Sequence, residues 1–153
     1  MFKTVLWATD GSPAAERALP VAASIAKTYD AKLVVTHVSE GFALVGGPRR
    51  PATPGTVRMA EESANAVTAS LQRKADDLKR DGIVVDFAVI ETHSPAQAIV
   101  EYAQQKGVDL IVVGTSGNSR LVRMLVGSVT RRLLELAHCP ILAVPPEDED
   151  LRS

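Results

Sequence analysis

A chain of 153 residues, 46% hydrophobic and 23% charged, is sized for one domain with a full apolar core and no covalent staples. A formal net charge of −1 supplies no basic surface for a nucleic-acid backbone, and the single cysteine, Cys139, excludes an internal disulfide. No apolar run approaches the roughly 18 residues needed to cross a bilayer, and the opening stretch MFKTVLWATDGS lacks a leader pattern, so a soluble cytoplasmic protein is expected.

Residues 3–9, KTVLWAT, form a short β-branched run that stops at Asp10-Gly11, the pattern of a buried strand. Ser12 then offers an N-cap and Pro13 a first helical residue. The helix they start carries Ala15, Leu19, Ala22 and Ala26 on one face, and Pro20 inside it predicts a kink. A second buried strand is expected over 31–38, AKLVVTHV. Residues 39–56 contain Pro48, Pro51 and Pro54 among four glycines, too long for an ordinary connection. Such a segment reads as a lid or a disordered excursion.

Val57, Ala60, Ala64, Val67, Leu71, Ala75 and Leu78 recur at steps of three and four, which predicts an amphipathic helix ended by Asp81-Gly82. A third strand follows over 83–91. Ser94-Pro95-Ala96-Gln97 has the form of a capping box, opening a helix that stops at Gly107. The fourth strand, over 109–115, is the most apolar. After it come a loop punctuated by glycine and serine, a short helix from Ser128 to about Ala137, and a fifth strand over 139–145. The acidic residues 147–153 are expected to fray from a single domain spanning 1–146. Near-continuous apolar strands alternating with helices predict an α/β fold: an open five-stranded parallel sheet with helices on both faces.

In such sheets ligands bind beyond the carboxyl ends of the strands, where the strand order reverses. Two strand ends carry suitable signals. The first is Ala8-Thr9-Asp10-Gly11-Ser12. The second runs from Gly114 through Gly117 to Gly127-Ser128. Glycines let successive backbone N–H groups converge on an anion, and a helix starting at Ser128 presents unpaired N–H groups and the positive end of its dipole. Arg120 or Arg123 would add positive charge. The loop has neither a Gly-Lys-Ser/Thr phosphate motif nor a G-x-G-x-x-G dinucleotide motif, so on its own it is equally a plain turn.

The spacing Gly114-x2-Gly117-x9-Gly127-Ser128, with VLWATDGSPAAERAL, KLVVTHV, GVDLIVVGTSG and GSVTRRLLELAHCPILAVP, resembles the ATP-binding universal stress protein family over nearly the whole chain. Residues 41–55 are the exception. The resemblance implies strand order 3-2-1-4-5, of the adenine nucleotide alpha hydrolase-like kind, with both signals facing one crevice. It implies ATP as ligand, with magnesium as the phosphate counter-ion. Ala8 and Thr9 would line the adenine end, Asp10 would bond the ribose hydroxyls, and Val38 would offer backbone groups to the adenine edge. Gly114, Gly117, Gly127, Ser128 and Val129 would hold phosphates, with Arg120 beside them. Asp10 in an Asp-Gly-Ser sequence is also a ready turn former. Thr92-His93 departs from the pattern, standing where many members have a glycine.

The scattered His37, His93 and His138 have no cysteine or carboxylate at metal-ligand spacing, so no metal site is expected. No catalytic residue is assigned, and His37 reads as a strand residue near the pocket. Cys139 reads as inert packing. The functional expectation is a nucleotide-binding stress or regulatory protein that holds rather than consumes its ligand, since no second carboxylate stands out to direct water at a phosphate. Slow hydrolysis or an adenylating enzyme on the same scaffold is the alternative. A receiver domain fits poorly, because Glu91 and Pro145 stand where its Asp and Lys belong. The last strand, Ile141–Val144, is an apolar sheet edge suited to pairing with a second copy, and the resemblance implies an antiparallel twofold homodimer.

Overall fold

In the computed structural model, which describes residues 1–39, 53–115 and 126–145, strand and helix alternate along the chain. The order is β1 (Thr4–Thr9), α1 (Pro13–Tyr29), β2 (Lys32–Ser39), α2 (Pro54–Arg80), β3 (Val85–Glu91), α3 (Pro95–Gln105), β4 (Leu110–Gly114), α4 (Ser128–Leu136) and β5 (Ile141–Val144). All pairings are parallel and the sheet order is β3-β2-β1-β4-β5, as expected.

Alternate strand residues point to opposite faces, and both faces are covered. Val5, Trp7, Leu33, Val35, Leu110 and Val112 pack beneath Ala18, Ala22 and Ala26 of α1 and Leu71 and Ala75 of α2. Leu6, Ala8, Val34, Val38, Ile111 and Val113 pack beneath Ala96, Ile99 and Ala103 of α3 and Leu133 of α4. The apolar strands therefore read without alternation because each residue has a helix to bury against. The inner face of α1 is made of alanines, which lets its backbone approach the sheet closely.

Helix starts account for most of the differences from expectation. α1 begins as predicted: Ser12 Oγ accepts from Ala15 N at 3.3 Å and Pro13 occupies the first turn. Pro20 lies inside α1, which continues to Tyr29. The connection expected over 39–56 is shorter, because Ser39 completes β2 and α2 starts at Pro54. Thr53 and Thr56 form a reciprocal capping box there, with Pro54 in the first turn, so the proline that reads as loop is a helix starter. Residues 40–52, where the lid or excursion is expected, lie outside the described residues. The capping box expected at Ser94 does not form. Ser94 is the N-cap of α3 but its side chain makes no cap bond, and its own N–H donates to Thr92 Oγ1 at 3.0 Å. Asp81-Gly82 closes α2 as read, with Gly82 at φ +87°. The acidic tail lies outside the described residues.

The register locates the opening in the sheet. β1 pairs with β2 as far as Thr9↔His37, and β4 pairs with β5 as far as Gly114↔Val144. Between β1 and β4 the pairing ends earlier, at Trp7↔Val112. The two central strands part beyond that pair, at the point where the chain order reverses. At the opposite end the strands are tied together: the Asp109 carboxylate accepts from Lys3 N at 2.8 Å and Thr4 N at 3.2 Å, and Lys32 pairs with Asp86 at 2.9 Å.

Candidate functional site

Where β1 and β4 part, a cleft of about 530 Å³ opens above the sheet, within the size range of small-molecule sites. One wall is the end of β1 and the turn after it: Ala8, Thr9, Asp10 and Ser12. The other is the end of β4 with the start of α4: Val113, Gly114, Gly127, Ser128, Val129 and Thr130. Ala15 from α1, His37, Val38 and Ser39 from β2, Val67 from α2, and Pro95 and Ile99 from α3 complete it. Of the residues singled out by sequence, Ala8, Thr9, Asp10, Val38, Gly114, Gly127, Ser128 and Val129 thus share one cavity. Gly117 and Arg120, with Arg123, lie outside the described residues.

The turn after β1 is built by its own side chains. Thr9 Oγ1 accepts from Gly11 N at 3.0 Å, and Asp10 Oδ1 accepts from Ser12 N at 2.9 Å. Gly11 sits at φ +81°, which suits glycine. Asp10 is exposed. One carboxylate oxygen shapes the turn, and Asp10 lines the cleft with acceptor capacity to spare.

Gly114 has a packing reason to be glycine. A Cβ there would stand 2.6 Å from the backbone carbon and oxygen of Ala14 and 2.9 Å from Ala15 N. The indole of Trp7, fully buried, donates from Nε1 to Ala15 O at 2.9 Å and fixes the same turn of α1. The first turn of α1 is therefore held against β1 by Trp7 and against β4 by the missing side chain of Gly114.

The start of α4 is tied to the end of β4. Gly127 N donates to Thr115 O at 2.7 Å and Thr130 Oγ1 donates to Gly114 O at 3.0 Å. This corrects one expected role: the Gly127 N–H is committed to Thr115 and is not free for an anion. The α4 ladder opens with Arg131 N to Gly127 O at 3.0 Å, so the N–H groups of Ser128, Val129 and Thr130 precede it and have no intrahelical acceptor. Among the described residues no side chain caps this end. Unpaired N–H groups with the positive end of a helix dipole favour an anion.

His37, read from the sequence as a strand residue near the pocket, lines the cleft. It is buried, and its Nδ1 lies 3.2 Å from Thr9 O. A carbonyl only accepts, so Nδ1 carries the proton and Nε2 is the acceptor in the neutral ring. Burial pushes its pKa below the ordinary value, against the opposing pull of the Thr9 bond and the Asp10 charge. The signal available in the sequence was its place one residue before Val38 on a strand that ends at the crevice.

Cys139 is half-buried among the α3–α4 cluster, and burial raises its thiol pKa, as inert packing requires. Among the described residues no three His, Cys, Asp or Glu side chains group to hold a metal ion. Among them too, no helix is long and apolar enough to cross a membrane.

Comparison with known proteins agrees with this architecture. The profile of the universal stress protein family matches residues 1–145. The universal stress protein MJ0531 of Methanocaldococcus jannaschii is 33% identical over 144 residues, covering 94% of this chain and 82% of that protein. The structure of the universal stress protein UspA from Lactobacillus plantarum superposes with a TM-score of 0.73 at 23% identity, covering 93% of this chain and 97% of that one. A universal stress protein solved in complex with cAMP superposes with a TM-score of 0.63 at 26% identity, covering 94% and 96%. The chain belongs to the universal stress protein family.

Proposed function

We propose that this protein binds an adenine nucleotide in the cleft between β1 and β4 and acts as a stress-response regulator whose conformation or partner choice depends on occupancy. The observation that carries the reading is the placement of two complementary groups on opposite lips of one cavity. Asp10, whose carboxylate is an acceptor, lies on one side, and Ser128 and Val129, whose N–H groups precede the α4 ladder, lie on the other. A ribose offers hydroxyl donors and a phosphate offers acceptors, so a nucleotide matches both lips in one orientation. Ala8, Thr9 and Val38 border the remaining space, where a flat base would lie. The complex of a related protein with cAMP supports an adenine nucleotide as the ligand class.

ATP is the proposed physiological ligand, with Gly117 and Arg120 completing the phosphate contacts and magnesium carried by the phosphate oxygens rather than by side chains. The proposed role is to hold the nucleotide. Asp10 is the only carboxylate lining the described cleft, and one of its oxygens is engaged in the turn. Efficient phosphoryl transfer calls for a group to orient water and further charge to stabilise the transferring phosphoryl. The protein is also proposed to be a cytoplasmic homodimer through β5, an apolar edge strand of the sheet.

The test is direct. Small molecules released from the purified protein are identified by mass spectrometry, and calorimetry is run with ATP, AMP, cAMP and GTP. Co-purified adenine nucleotide, or saturable binding with adenine preferred over guanine, is the expected result. Absence of any nucleotide together with no heat of binding overturns it. Turnover of ATP at enzyme-like rates without a partner would replace the holding role with the enzymatic alternative.

A further inference from the structure

Thr130 is the third residue of α4, and it is almost fully buried at 5% exposure. A threonine inside a helix commonly turns its hydroxyl onto a carbonyl of its own preceding turn. Here the hydroxyl leaves the helix and donates to Gly114 O on β4 at 3.0 Å. The neighbouring bond, Gly127 N to Thr115 O at 2.7 Å, ties the residue that follows the strand to the residue just before the helix. Two consecutive residues at the end of β4 thus hold the first turn of α4 in place. Gly114 cannot shift to follow the helix, because α1 backbone lies against its other side.

The geometry points to Thr130 as a positioning residue for phosphate recognition. Its hydroxyl, committed to Gly114 O, sets where the N–H groups of Ser128 and Val129 stand relative to the cleft. Those groups are useful to an anion only if they are aimed before it arrives, since a helix turn that must be ordered on binding loses affinity in the ordering. Removing the hydroxyl takes this donor from Gly114 O and releases one of the two ties. The base and ribose lip, built on β1 and β2, has no share in this bond. The loss should therefore fall on the phosphate part of the ligand alone. This inference rests on the reading that the cleft takes an adenine nucleotide.

The experiment compares ATP, AMP and adenosine on wild type, Thr130→Val and Thr130→Ser by calorimetry, with thermal melting of each. Valine keeps the shape and removes the donor; serine restores the donor. The expected result is a loss of about tenfold or more in ATP affinity for Thr130→Val, with adenosine affinity unchanged within about twofold and Thr130→Ser close to wild type in both. Equal losses for ATP and adenosine, or an ATP affinity unchanged by Thr130→Val, overturn the positioning role. Should Thr130→Val fail to fold, Thr130→Ala is read by the same ratio of ATP to adenosine affinity. Wild type that binds neither ligand removes the nucleotide reading and this inference with it. Wild type that binds both, with an unaltered ratio in the variants, sinks the inference alone.

Discussion

Gly114 and Ala14 meet with no room for a side chain between them: a Cβ on Gly114 would stand 2.6 Å from the Ala14 carbonyl group. The opposing atoms are helix backbone, which cannot swing aside as a side-chain tip can. The glycine at the end of β4 therefore sets how near α1 lies to the sheet, and α1 in turn carries the Asp10–Ser12 turn at its start. Gly114→Ala should destabilise the fold by about 1–3 kcal/mol, the usual cost of overpacking, and Gly114→Val by more. Urea denaturation with an unchanged m-value measures it. Wild-type stability for Gly114→Ala would show that α1 can retreat freely. Substitution at this position consequently probes the fold before it probes any phosphate contact.

Asp10 has two separable tasks. Its Oδ1 accepts from Ser12 N, and its charge and remaining acceptor capacity face the cleft. Asparagine keeps an oxygen for the turn and removes the charge. Asp10→Asn should leave stability within about 0.5 kcal/mol of wild type. It should weaken nucleotide binding by roughly 10- to 100-fold, as expected for loss of hydrogen bonds to a charged acceptor. Asp10→Ala should lose the binding and also about 1 kcal/mol of stability, from the turn. Calorimetry with ATP and its 2′-deoxy analogue separates the effects: the deoxy analogue should discriminate less between wild type and Asp10→Asn. Equal discrimination would remove Asp10 from the ribose.

His37 makes stability depend on pH in a defined direction. Burial lowers its pKa below the ordinary value of about 6.5, outweighing the Thr9 bond and the Asp10 charge. The unfolded chain then binds a proton more readily than the folded one. Stability from this residue is complete above the unfolded pKa and is lost as pH falls from about 6.5 through the folded value. His37→Asn keeps an N–H that can reach Thr9 O and removes the titration. The stability difference between wild type and His37→Asn, from urea midpoints at about pH 5, 6 and 7, should shrink in wild type's disfavour as pH falls. A difference independent of pH would show that His37 titrates alike in both states.

Much of this architecture was legible because the fold is local in its signals. β1, β2 and β4 show as unbroken apolar runs since helices cover both faces of the sheet, and Ser12-Pro13 and Asp81-Gly82 punctuate helices by their own backbone chemistry. Strand order came from family resemblance, because nothing in an apolar strand names its neighbour. The misreadings share a cause. Pro54-Gly55 looks like loop until Thr53 and Thr56 are seen to cap each other, and Ser94-Pro95-Ala96-Gln97 looks like a capping box until Thr92 Oγ1 takes the N–H of Ser94. The roles of Gly114 and Trp7 were hidden for a different reason. Gly114 meets a residue near the other end of the chain, and the Trp7 indole reaches across the turn to Ala15; neither contact leaves a periodic trace. Asp10 and Ser128 both line the cleft; each stands out in the sequence because it lies at a strand or helix end, and the family resemblance supplied its expected role.

The last prediction concerns the edge of the sheet. β5 pairs only with β4 among the described residues, and Pro140 O and Val144 O accept from Ile111 N and Thr115 N on that side. Backbone groups alternate sides along a strand, so the N–H groups of Ile141 and Ala143 point away from β4. They are the donors an antiparallel partner strand would use. Proline at 143 removes one of them and leaves the bonds to β4 intact, as proline at an edge strand does. The expected outcome is a dimer at micromolar concentration for wild type by light scattering, and a monomer for Ala143→Pro, with the far-ultraviolet circular dichroism of the fold retained. A wild-type monomer under these conditions removes the edge-paired dimer. A dimer that persists in Ala143→Pro places the interface elsewhere on the molecule, since a ladder built on the Ala143 N–H cannot survive its loss unchanged.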